Sequence, residues 1–167
     1  MSKVITFSRF FPKRHPRAGL CTFFVEKLIK SVMDNNDVWY QIDLSGKGVF
    51  DKDYYFADNC IPKHHTIRSG HRWTVGDTFS PRVWSGKPYR SPQIVIAPDI
   101  TIEQIWNFEV KTDGLFYLKG TQLDVTSTDI PMNDGLDSDD FLDWFPNDKE
   151  FNGQIICWNK FITYDKN

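Results

Sequence analysis

Twenty-eight residues, from Lys63 to Arg90, constrain this chain more than any other stretch. They hold Lys63, Arg68, Arg72, Arg82, Lys87 and Arg90, three of the four histidines, and one acid, Asp77. Alternate residues of a strand face opposite sides. With His64 to Arg68 extended, His64, Thr66 and Arg68 therefore share one face, and His65 and Ile67 share the other. This predicts His65 and Ile67 buried while Thr66 and Arg68 line a cavity. The β-branched Thr66-Ile67 pair favours a strand, and Ser69-Gly70 supplies a turn after it. Val75-Gly76-Asp77 makes a second turn leading into Thr78 to Trp84, so the region reads as a strand pair with a polar loop between.

Around this stretch, 167 residues with 40% apolar and 16% aromatic content suffice for one domain with an ample core. The net charge of −2 hides an asymmetry: residues 1–90 hold 15 Lys or Arg against 8 acids, and residues 91–167 hold 5 against 14. A protein gripping long nucleic acid usually carries a net basic balance, because each phosphate contact needs a cation; here a basic face is the most to expect. Cys21, Cys60 and Cys157 are widely spaced and form no CxxC pair, which argues against a disulfide framework or a zinc ribbon and fits a reducing cytoplasm. The N-terminus lacks an apolar signal region and no run nears 18 apolar residues, so no membrane partner is expected.

Elsewhere the pattern is mixed. Val4 to Phe11 reads as a strand stopped by Pro12, followed by a basic loop of Arg9, Lys13, Arg14, His15 and Arg17 that is either a solvated connector or a phosphate contact. Leu20, Phe24, Leu28 and Val32, with Phe23 and Ile29, predict a helix from Pro16 to about Met33, ended by Asp34-Asn35-Asn36-Asp37. Residues 34–60, with Trp39, Tyr40, Phe50, Tyr54, Tyr55 and Phe56, read as a satellite hydrophobic cluster or a lid. Strands are expected at Gln93 to Ala97, Thr101 to Val110, Leu115 to Leu118, Thr121 to Val125 and Gln154 to Ile162. Lys119-Gly120 and Asp113-Gly114 serve as turns, and Ser138 caps a short acidic helix before Pro146.

The spacing Lys-x-x-Thr-x-Arg (Lys63, Thr66, Arg68), with the Gly76-Asp77 turn leading to Arg82-Val83, resembles the ASCH domains, small β-barrels related to the PUA RNA-binding fold. Thr66 stands where that family usually has Glu, which is similar to the subgroup of acetylcytidine amidohydrolases. Asp134 replaces that subgroup's longer acid, and Ile61 replaces a customary Gly. The resemblance covers roughly residues 3–33 and 61–163 and makes residues 34–60 an insertion. It implies an α+β protein, a PUA-like β-barrel of about six strands with two or three flanking helices. Its site would comprise Lys63, Thr66 and Asp134, and its ligand would be a nucleoside, a nucleotide or RNA.

The chemistry implied has a physical logic. A Thr hydroxyl needs a neighbour to take its proton, and a partly desolvated Lys does so near neutral pH. Lys63 would be the base and Thr66 the nucleophile, with Asp134 orienting Lys63 or delivering a proton to the leaving amine. Three positions apart, Lys63 and Thr66 reach one side only if Lys63 precedes the strand or sits at a bulge, as Pro62 allows. As polar pocket residues, both are expected to tolerate truncation at little cost in stability. The rival reading is a binding module in which Arg68, Arg72, Arg82, Lys87 and Arg90 alternate with Trp73, Trp84 and Tyr89, giving phosphate contacts and base stacking; His64 would be a pocket wall. Cys60, His64, His65 and His71 have no metal-site spacing, so neither a metal nor a cofactor is expected.

Overall fold

The computed structural model describes residues 3–33, 43–145 and 148–164. Asp34 to Asp37, Trp39, Tyr40 and Pro146 lie outside the described residues. The architecture is α+β. The described strands are β1 (Lys3–Thr6), β2 (His65–Ser69), β3 (Thr78–Trp84), β4 (Gln93–Val95), β5 (Ile100–Thr101), β6 (Gln104–Val110), β7 (Phe116–Leu118), β8 (Thr121–Leu123) and β9 (Phe151–Cys157). These nine form two sheets and do not close into a barrel. In one, β3 pairs with β1 in parallel and with β4 and β5 antiparallel; the other has the antiparallel order β2-β9-β6-β7-β8. The expected six-stranded closed barrel is thus corrected. So is the strand pair read in the central stretch, because β2 and β3 lie in different sheets. Local alternation indicates which residues are extended but carries no information about which strand lies alongside.

Strand β2 owes its place to β9, which runs between β2 and β6. At Gly153 the two backbones meet so closely that an added Cβ would stand 2.0 Å from the Arg68 carbonyl oxygen. Only glycine permits this approach. The β7–β8 hairpin follows its sequence signal: Lys119 and Gly120 take φ of 52° and 79°, as a two-residue primed turn requires.

Helix α1 (Phe24–Val32) is half its expected length. The backbone of residues 18–22 is engaged elsewhere, since Phe11 N–H donates to the Leu20 carbonyl, Gly19 N–H to Phe11 and Thr22 N–H to Arg9. Those bonds replace the helical ones and leave Leu20, expected in the apolar stripe, 54% exposed. What remains of the stripe buries Phe24, Val25, Leu28 and Ile29. Against α1 sits α2 (Lys52–Tyr55), with Val49, Phe50 and Tyr55 joined to the core. The buried Glu26 carboxylate accepts the Asp51 N–H at 2.7 Å and fastens this segment down.

The short helix α3 (Ile130–Asn133) leads through Asp134 into a turn, and α4 (Ser138–Trp144) follows. The α4 cap is Asp137, whose side chain accepts from the Asp140 N–H; Ser138 is the first helical residue. In the basic loop, Arg17 pairs with Asp140 at 2.6 Å and the buried His15 ring lies against the Asp140 carbonyl, so this part of the loop is pinned to α4. No helix among the described residues is long and apolar enough to cross a membrane.

Candidate functional site

Where β2 begins, the chain makes one bond on each side: Lys63 N–H donates to the Lys27 carbonyl of α1, and His64 N–H donates to the Asn133 carbonyl of α3. Lys63 therefore lies just before the strand, and both it and Thr66 reach a cavity of about 350 Å³. Arg68 and Asp134 line the same space, and the rings of Phe7, Phe24, Trp144, Phe145 and Phe151 supply much of its wall.

The Lys63 side chain is 2% exposed. Its ammonium donates to the backbone carbonyl of Asp134, stands 3.2 Å from Asp134 Oδ1, and lies 4.3 Å from the centre of the Phe24 ring. Burial among these rings pushes the Lys63 pKa down to about 8; the Asp134 charge and hydrogen bond hold it from falling further. Asp134 gains this position from the turn after α3. Gly135 has φ of +89°, and a Cβ there would stand 3.4 Å from both Lys63 and the Phe24 ring, so the turn is closed tightly onto the lysine. The Thr66 hydroxyl makes no hydrogen bond to a described residue, although Thr66 is only 5% exposed and lines the cavity.

Arg68 crosses to β1, where Nη2 donates to the Thr6 carbonyl at 2.7 Å. Its buried Nε is without a partner among the described residues. Burial lowers its pKa to about 10, against the opposing pull of Asp134, and the like charge of Arg72 lowers it further. His65 is fully buried, between Asp134 Oδ1 at 3.3 Å from Nδ1 and Tyr164 Oη at 2.6 Å from Nε2. Ile67 is only partly buried and borders the cavity instead of lying fully in the core.

The remaining expected ligand residues are elsewhere. His64 is half-buried with Nδ1 against Asn159, outside the cavity, because its position ahead of the strand exempts it from the alternation. Arg82 is held by Ser80 Oγ and Gln93 Oε1, Trp84 faces Tyr89 with ring centres 5.1 Å apart, and Arg72 lies over Trp73. None of these, nor Lys87, lines the Lys63 cavity. Among the described residues no carboxylate pairs with Arg68, Arg72, Arg82, Lys87 or Arg90. Trp73 is buried, as a core residue would be. No group of three His, Cys, Asp or Glu residues suited to a metal occurs among the described residues.

Sequence reasoning missed the aromatic walls and the Tyr164–Asn133 pair, in which Asn133 Nδ2 donates to Tyr164 Oη at 2.9 Å. In the sequence Phe24 signals only the apolar stripe of a helix, and nothing local marks Tyr164. A second cavity, of about 690 Å³, lies beyond Gly135 among Lys27, Tyr54 and Met132 and contains none of the expected site residues.

No family model matches this chain. No curated protein and no solved structure matches it either.

Proposed function

We propose that this chain is an ASCH-type protein of the PUA-like class that recognises a nucleoside, nucleotide or RNA base in the cytoplasm and hydrolyses the acyl amide of an acylated cytidine. The observation that carries this reading is the pairing of a buried, acidified Lys63 with Asp134 beside the unengaged Thr66 hydroxyl in one cavity. A lysine with a pKa near 8 is substantially unprotonated just above neutrality, when an ordinary lysine is not. The neutral amine takes the Thr66 proton as Oγ1 bonds to the acyl carbon, giving a tetrahedral oxyanion. Collapse breaks the C–N bond, and the Lys63 ammonium returns the proton to the departing N4 amine. A water deprotonated by Lys63 then adds to the Thr66 ester; acetate leaves and Thr66 regains its proton. Arg68 supplies positive charge along the same wall for the oxyanion.

The apolar rings suit a small acyl group, and their exclusion of water is what depresses Lys63. The second reading is a non-catalytic RNA or nucleotide-binding module, favoured by Arg72, Arg82, Lys87 and Arg90, which form an ion pair with no described carboxylate. Incubation of the wild-type protein with an acetylated cytidine, followed by assay of free acetate, separates the two. Turnover supports the hydrolase. Binding of cytidines without turnover selects the module.

A further inference from the structure

Asp134 is held on Lys63 from behind, by the buried His65 and the partly buried Tyr164 and Asn133, Tyr164 being the last described residue of the chain. Asn133 Nδ2 meets Tyr164 Oη at 2.9 Å, Tyr164 Oη meets His65 Nε2 at 2.6 Å, and His65 Nδ1 meets Asp134 Oδ1 at 3.3 Å. We propose that His65 and Tyr164 are positioning residues that lock Asp134 Oδ1 against Lys63 through a one-directional hydrogen-bond chain, Asn133 to Tyr164 to His65 to Asp134.

The direction follows from what each group can donate. Asn133 Nδ2 has only protons to offer, so Tyr164 Oη accepts from it and is left one proton to give. The nearest acceptor for that proton is His65 Nε2. A neutral imidazole that accepts at Nε2 carries its proton at Nδ1, and there the facing atom is a carboxylate oxygen. Reversing the tautomer would set the Nδ1 lone pair against Asp134 Oδ1 and leave two acceptors opposed across a fully buried imidazole. Burial keeps both middle members neutral, lowering His65 and raising Tyr164.

The consequence reaches the cavity. Asp134 Oδ1 receives His65 and Lys63 together, whereas Oδ2 makes no hydrogen bond to a described residue and is the oxygen available to a ligand. Asp134 thus has one oxygen for structure and one for chemistry. A carboxylate released from His65 would swing, and Lys63 would lose the charge that sustains its ammonium. The groups that bear on Lys63 are Asp134, which favours its charge, and Arg68 and Lys27, which oppose it, with His65 behind Asp134.

The mechanistic meaning rests on the hydrolase reading, but the test does not. Nitrogen NMR of the imidazole in the ligand-free wild-type protein should find the His65 proton on Nδ1. In Tyr164→Phe, which keeps the ring and removes the hydroxyl, that preference should weaken, and the Lys63 amine, followed by NMR of labelled lysine, should titrate lower than in the wild type. Asn133→Ala should shift both signals the same way by less. A wild-type proton on Nε2 overturns the proposal, as does a Tyr164→Phe variant with unchanged tautomer and unchanged Lys63 titration. The wild-type measurement decides even if both variants fail to fold. Where acetylcytidine turnover is found, Tyr164→Phe should also lower kcat roughly five- to tenfold, the worth of one neutral hydrogen bond, with KM little changed. Absent turnover, the NMR result stands by itself.

Discussion

One cationic stretch serves two regions that differ in almost every physical respect. At its start, Lys63 is 1% exposed, enclosed by rings, and answered by a single carboxylate brought from α3. Further along, Arg72, Lys87 and Arg90 are exposed and have no described carboxylate partner, and Tyr89 is 86% exposed. The contrast shows what charge is for in each place. A buried cation whose solvation has been removed is held by its partner and has a perturbed proton affinity, the property chemistry uses. Solvated cations act at a distance, on the approach and grip of an anion.

The strongest way to break this contrast is Lys63→Ala. On the hydrolase reading it should reduce acetylcytidine turnover by on the order of 10²–10⁴, and on either reading it should cost about 3–5 kcal/mol in denaturant unfolding, because Asp134 is left buried without its cation. This corrects the expectation that truncating Lys63 is cheap, since the side chain lies inside the fold and does not merely line a pocket. Thr66→Ala should abolish turnover equally but cost about 1 kcal/mol or less, its hydroxyl having no described partner to strand. Equal stability losses for the two variants would show that Lys63 is not a true buried pair.

Asp134→Asn should be milder, destabilising by roughly 1–3 kcal/mol as a buried charge-assisted bond is weakened while the shape and one acceptor remain. Its turnover should fall less than that of Lys63→Ala.

pH sharpens the comparison further. Lys63 titrates near 8 when folded and near its ordinary 10.5 when unfolded. Between these values the unfolded chain holds more protons, so this group's contribution to stability rises with pH across the window; below about 8 the folded protein bears the cost of a buried ammonium. If Lys63 is the base of the proposed hydrolysis, the rate of acetate release should likewise climb with pH and level off above about 8, as the free amine accumulates. A flat profile from pH 6 to 9 would remove Lys63 from the proton-transfer role.

The smallest effects belong to the exposed region. Arg72→Gln and Lys87→Gln should each change stability by no more than about 0.5 kcal/mol. If these cations contact phosphates, each change should weaken binding of a short RNA and reduce the slope of log affinity against log salt by about one. Affinity that ignores both salt and these substitutions would leave the exposed cations without a role in binding.

Several features of this molecule were legible from neighbours in the chain. The extended segment around Thr66, the placement of Lys63 ahead of it, the Lys119-Gly120 hairpin and the acidic helix near residue 140 all rest on preferences that act within a few residues. The long helix from Pro16 failed for the opposite reason: its periodicity was sound, but residues 18–22 found backbone partners at 9–11, and those bonds outcompeted the helical ones. His64 failed because a strand rule was extended one residue beyond the strand.

The sequence by itself determined the residue types of the candidate site and, through the three-residue spacing, that Lys63 and Thr66 can reach one side. Which acid answers Lys63 is set across 71 residues, and what steadies that acid is set across 99, from His65 to Tyr164. Separations of that size lie beyond any local preference, because side chains so distant in the chain meet only once the two sheets and their helices have closed a common core around them. Desolvation, which gives Lys63 its altered proton affinity, is likewise a property of the surrounding rings, and those come from Phe7 just after β1, from α1, α4 and Phe145, and from β9.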